Sequence, residues 1–451
     1  MTRRTLTITA PLVIIAGGFL MPGHAIASGG GESGGDTEIL TALLLIACIV
    51  VGYILAHSVV QRIQRRFLIV TGIEYLLLGW AIGPHCGLIP SFDRENFTAL
   101  LPILALAAGW FGLLRGTEGR LKHFIQVTSE TWQISAARQL ATGGVVLAGA
   151  YWALTSAGIA ELSSVTHEEA SIAAWVLGCT AAAGSAPLGL LRSLYRFQGK
   201  LHERLGDLNR IGDICVILCF GGLFCFYHPH AEGLSLSGTE WLVVSLCLGG
   251  GLGLLFTFFL GENESENVRF LALVGIISFA SGAAFFLEIS PLAVNLGLGL
   301  VLVNTARSGP SVHETLIRTQ RPMYLVLLIF AGAMWSPPPL LAFVSLLAGF
   351  VALRLLSQAL GSRIGTVGTA LRRDLFRAFA SHGEIAVAMA LSFKLVYSGV
   401  AADLAYSVIL GSVVLHDLAA PRLLRALLVD QDEISGQATE TETETQPTRI
   451  A

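Results

Sequence analysis

The chain alternates between long apolar runs and short polar gaps. Thirteen such runs stand at about 38–57, 67–89, 97–114, 138–160, 170–191, 208–228, 240–260, 268–287, 290–305, 322–336, 338–360, 376–398 and 402–421. Most are near the length of about 20 residues that a helix needs to cross a hydrocarbon core of about 30 Å. Water is absent there, so backbone groups must be satisfied within the segment, and a helix does this by itself. The pattern predicts an all-α, polytopic membrane protein with about 13 transmembrane helices.

The polar gaps give the expected orientation. Read with the first run entering from outside, alternate gaps hold twenty-two Lys and Arg residues, and the opposite gaps hold Arg94 alone. The basic set runs from Arg62, Arg65 and Arg66 through Arg115, Arg120, Lys122 and Arg138 to Arg422 and Arg425. Such an excess marks the cytoplasmic side. Residues 1–27 have the form of a signal peptide: Arg3 and Arg4, an apolar stretch from Ile8 to Met21, then Ala25-Ile26-Ala27. A twin-arginine signal is the alternative reading. Residues 28–37 are a Gly/Ser-rich spacer, 38–428 one membrane domain, and 429–451 an acidic cytoplasmic tail expected to be disordered. The expected location is a bacterial inner membrane, with the mature N-terminus outside.

Composition agrees. Of 451 residues, 53% are hydrophobic and 13% charged, with a net charge of -3. That is about half the charged fraction of a soluble domain. No basic stripe suggests nucleic acid. The seven cysteines lie mostly inside apolar runs without CxxC spacing and read as buried hydrophobes. A soft-metal site from Cys215, Cys219, Cys225, His228 and His230 is the less favoured reading, so no metal, cofactor or enzymatic activity is expected.

Charges within the runs carry the candidate chemistry. A central Asp or Arg costs roughly 2.5–3.5 kcal/mol on insertion scales, so each marks function by default. Four stand in or near the runs: Glu74, Asp213, Arg354 and Glu384. Two runs are interrupted, the fifth by Gly184-Ser185-Ala186-Pro187 and the twelfth by Ser381-His382-Gly383-Glu384. Paired interruptions in two halves point to a transporter with inverted repeats and two broken crossing helices around a midplane site.

Five segments in order resemble the monovalent cation:proton antiporter superfamily, closest to its antiporter-2 branch. They are GIEYLLLGWAIGP (72–84), SAPLGLLRSLYRFQGKLHERLGDLNRIGDICVILCF (185–220), EISPLAVNLGLGLVLVN (288–304), SHGEIAVAMAL (381–391) and LHDLAAPRLLRALL (415–428). The resemblance implies that Asp213 is the ion-binding aspartate and Ser185 a cation ligand on the broken fifth helix. It places Arg354 at the basic residue of the electrogenic members and Glu384 at the glutamate of the second break. Gly212 stands where the family keeps a first carboxylate, and Arg354 where it keeps a lysine. A homodimer is also implied.

A buried carboxylate is costly when ionised, so a proton or a bound cation must neutralise Asp213 before it crosses. With one switchable group, one proton should exchange for one Na+ or K+, an electroneutral cycle. Arg354 is expected to balance the ionised Asp213. Glu74 reads as an accessory carboxylate or an end-of-helix acid near Arg65 or Arg66, and His382 as a pH sensor or a satisfied polar group. Lys394 is expected to snorkel outward. Two other classes stay open: a sodium-coupled organic-anion symporter of the same architecture, and a non-transporting scaffold or sensor.

Overall fold

The computed structural model describes residues 72–83, 101–156, 164–186, 200–229, 236–259, 266–306, 309–336, 338, 340–369 and 371–430. The signal peptide, the spacer, the first apolar run and most of the tail lie outside them. Among the described residues the chain is helical. In order come α1 (Ile73–Ile82), α2 (Leu101–Glu118), α3 (Leu121–Gln126), α4 (Ser129–Ser156), α5 (His167–Ala182), α6 (Lys200–Phe226) and α7 (Gly238–Phe259). Then follow α8 (Glu266–Phe286), α9 (Pro291–Thr305), α10 (Gly309–Ala333), α11 (Leu340–Gly365), a 3-10 turn (Leu375–Phe379), α12 (Gly383–Val396) and α13 (Val400–Asp430).

Several helices outrun the apolar stretches that announced them. Helix α4 starts nine residues before residue 138, at Ser129, and α10 starts at Gly309 with Pro322 inside it. Intrahelical hydrogen bonding does not need an apolar side chain, so a helix continues past the point where hydropathy falls. The tail is shortened likewise. α13 runs to Asp430, whose carboxylate accepts from Arg377 Nη1 at 2.9 Å.

Five described helices, 201–226, 238–258, 267–286, 340–365 and 400–430, are long and apolar enough to cross a membrane. Their outward faces are apolar: Phe258 is 93%, Phe286 85% and Leu341 84% exposed. Such side chains require a non-aqueous surround. The chain is a multi-pass membrane protein.

The helices pack as two bundles. One joins α1, α2, α7, α8, α9 and α10, and the other α4, α5, α6, α11, α12 and α13. In the first, α2 lies directly on α9. A Cβ at Gly112 would stand 2.1 Å from the Leu292 carbonyl oxygen, so only glycine permits the approach. Helix α9 begins where Ser290 Oγ accepts from the Ala293 N–H at 3.3 Å, with Pro291 in its first turn. Helix α5 opens with a capping box. Thr166 Oγ1 accepts from the Glu169 N–H at 3.2 Å, and Glu169 returns a carboxylate to the Thr166 N–H at 2.9 Å. The two bundles meet along α2, α6, α9, α10 and α12.

Candidate functional site

Two interruptions build the site. Helix α5 stops at Ala182 and the chain runs extended through Ala183 to Ala186, while α12 starts only at Gly383. The two extended pieces meet in one antiparallel bridge, where the Ser185 N–H donates to the Ser381 carbonyl at 3.1 Å. The predicted crossing of the fifth and twelfth runs is therefore present. Gly383 makes it possible: its φ is +66°, and a Cβ there would lie 2.4 Å from Ser185 Oγ. We expect Gly383→Ala to add about 1–2 kcal/mol of left-handed backbone strain to a direct clash. Its melting temperature should fall by several degrees and transport should fall with it; an unchanged thermal profile and flux would refute this role.

A break orphans backbone carbonyls, and Arg354 on α11 collects them. Its Nε donates to Ala181 O at 3.0 Å and Nη1 to Ala380 O at 2.7 Å. Nη2 reaches Ala183, Phe379 and Ser381 oxygens at 3.3, 3.4 and 3.2 Å. Five donors in a planar fork suit a ring of carbonyls as no other side chain does. Gln358 Nε2 adds a bond to Phe379 O at 3.2 Å. The expected pairing of Arg354 with Asp213 is thus not formed, because the guanidinium is committed to the carbonyls where α5 ends and where the 3-10 turn gives way to α12. Asn209, one turn before Asp213, holds the same strand. With its amide oriented to satisfy both ends, it donates to Gly184 O and accepts from the Ala186 N–H, each at 3.2 Å.

Asp213, on α6 and 3% exposed, pairs instead with Arg115 on α2, Oδ2 to Nε 3.2 Å. The Arg115 guanidinium also binds Glu118 at 2.9 Å and the Glu384 carboxylate. Gln320 on α10 donates to Glu384 Oε1 at 2.6 Å. One guanidinium thus joins three carboxylates and ties the first bundle to the second. The sequence places Arg115 in a polar gap on the cytoplasmic side; in the structure it lies inside α2, three residues short of its end. Beside Glu118 lies a cavity of about 300 Å3, lined also by Thr117, Arg120, His123, Arg210, Pro310 and His313.

The remaining predicted residues take different places. Ser185 lies in the bridge, beside Gly383. His382 is buried, its Nδ1 donating to Thr180 O at 3.1 Å and its Nε2 facing Ser412 Oγ at 2.7 Å. It stacks on Phe350, so it serves the crossing as a satisfied polar group. Glu74 stands in the first turn of α1, where its carboxylate accepts from the Gly72 N–H at 3.2 Å; Arg65 and Arg66 lie outside the described residues. Lys394, in the last turn of α12, binds the Asp403 carboxylate in the first turn of α13. Asp417 was not anticipated: it is buried on α13 and accepts from Ser381 Oγ at 2.6 Å. Arg138, counted with the cytoplasmic basic residues, is also buried, on α4, with its guanidinium 4.1 Å over the Phe379 ring.

No family model matches the sequence, and no curated protein does. Solved structures match it clearly. The sodium proton antiporter MjNhaP1 from Methanocaldococcus jannaschii, at pH 8, superposes with a TM-score of 0.61 at 14% identity, over 87% of this chain and 99% of that one. An electron-microscopy map of the same antiporter gives 0.59 at 15%, over 87% and 97%. Identity this low speaks for the fold. The chain is a multi-pass helical membrane protein with the fold of the sodium proton antiporter MjNhaP1.

Proposed function

We propose that the chain exchanges a monovalent cation, Na+ or K+, for H+ across an inner membrane by alternating access, as a homodimer, with Asp213 as the group both ions share. The observation that carries this reading is a buried aspartate beside two crossing half-helices, ionically tied to the opposite bundle. Ions that compete for one carboxylate need not meet. If Asp213 crosses only when neutralised, each cation carried one way requires a proton carried the other. Ser185 at the crossing can add a hydroxyl to a cation's shell, and Glu384 lies one guanidinium away from Asp213.

Gly212 supplies no second carboxylate and Arg354 is held by carbonyls, so one proton should exchange for one cation. Moving one elementary charge through 100 mV is worth about 2.3 kcal/mol. An electrogenic cycle would respond strongly to membrane potential; this one should not. The test is the purified protein in liposomes with an enclosed pH dye, given a Na+ or K+ gradient and then an imposed potential. We expect cation-driven proton flux of unchanged size under the potential. Absence of flux with both cations would overturn exchange, and a potential-driven flux would overturn the one-to-one ratio.

A further inference from the structure

Arg138 takes no part in the site as derived so far. It is 1% exposed, yet among the described residues none of its three guanidinium nitrogens has a hydrogen-bond partner. A buried guanidinium ordinarily finds carboxylates or carbonyls, as Arg115 and Arg354 do. Two glycines admit it to the crossing. A Cβ at Gly184 would lie 3.1 Å from its Nη1, and one at Gly212 would lie 2.8 Å from its Nη2. Together with Gln139 Nε2, which such a Cβ would meet at 2.4 Å, the guanidinium fills the space that a side chain at residue 212 would take, next to Asp213 along α6. Asp213 Oδ2 in turn has an ionic contact with Arg115 but no hydrogen bond among the described residues.

The two arginines differ in where they are anchored. Arg115 belongs to the first bundle, and Arg138 rides in the second with Asp213 itself. Any sliding of one bundle past the other separates Asp213 from Arg115 and leaves Arg138 beside it. We propose that Arg138 is a tethered cation that competes with the transported cation for Asp213 and so sets the affinity of the site. It acts where Gly212 leaves room for it, and a fixed positive charge there weakens the hold on a free cation. The inference rests on the exchange reading above, since it deepens the role of Asp213.

The test uses the full-length purified protein, titrated with NaCl and with KCl at constant ionic strength, choline replacing the cation, and read by thermal stabilisation. Arg138→Gln is expected to tighten the cation midpoint by about tenfold, because a fixed like charge beside the site is gone. Arg138→Lys, which keeps the charge, should stay near the parent value. If the glutamine variant fails to fold, Arg138→Met keeps the stem over Phe379 and is read the same way. An unchanged or weaker midpoint in the neutral variants overturns the proposal, as does equal tightening in the lysine variant. In a second titration at fixed Na+, with gluconate replacing chloride, stabilisation by chloride that vanishes in Arg138→Gln, with cation midpoints unmoved, also overturns it, because the guanidinium would then serve an anion. Liposomes separate the two claims: no proton flux in the parent, with cation binding tightened in Arg138→Gln, would remove exchange and leave the tethered cation standing.

Discussion

Asp213→Asn is expected to abolish cation-dependent proton flux while leaving the protein folded in the membrane. Asparagine keeps the volume and a hydrogen-bonding carbonyl oxygen at the position, but it cannot release a proton or offer a full charge to a cation. The fold should tolerate the change, because Arg115 retains Glu118 and Glu384 when Asp213 is neutral. Loss of a buried charge with its partner still satisfied avoids the 3–5 kcal/mol penalty typical of leaving a buried ion unpaired. Flux should drop to the level of empty liposomes, with size-exclusion profile and melting temperature close to those of the parent. Cation-dependent flux retained in Asp213→Asn would mean that another carboxylate carries the ions. Glu384 would then be the first to test, since it shares Arg115 and sits in the first turn of the second half-helix.

The crossing was legible in the sequence, while the ion pairs around it were not. Gly184-Ser185-Ala186 and Ser381-His382-Gly383 break two apolar runs with residues that either tolerate unusual backbone or can bond to it, and those pieces meet at the Ser185–Ser381 bridge. Asp213 stood out because a lone carboxylate in an apolar run is costly. Arg115 and Arg138 stood at the edges of such runs, where hydropathy treats a basic residue as the start of a loop. Only the hydrogen-bonded helix ends show that α2 and α4 extend around them. One signal for Arg138 did exist: Ser135, Arg138, Gln139 and Thr142 recur at helical spacing, a polar face inside a membrane protein. Asp417 lay in a segment recognised only as a closing span. The choice of partner for Arg354 could not be read at all, since it depends on carbonyls 25 to 173 residues away being orphaned in one place.

That choice of partner gives the second large effect. Arg354→Ala is expected to prevent the protein from accumulating in folded form, whatever stands at residue 213. Its guanidinium satisfies five carbonyls at the ends of two half-helices. Phe379 O keeps Gln358 Nε2 and Ser381 O keeps the Ser185 N–H, so the oxygens of Ala181, Ala183 and Ala380 are the ones stranded. A buried acceptor left without a donor costs about 1–3 kcal/mol, roughly 3–9 kcal/mol for the three. That is comparable with the whole net stability of an ordinary domain, about 5–15 kcal/mol. Lysine has three donors on one nitrogen and cannot span both half-helix ends, so Arg354→Lys should fold with a lowered melting temperature and reduced flux. The double variant Asp213→Asn, Arg354→Ala decides between this role and that of a counter-ion. Were Arg354 the partner of Asp213, neutralising both would relieve the unpaired charge and restore folding. With carbonyls as its partners, the double variant should be as unstable as Arg354→Ala alone, measured by fluorescence-detected size exclusion after mild heating. Recovery in the double variant would refute the carbonyl role and reinstate the ion pair.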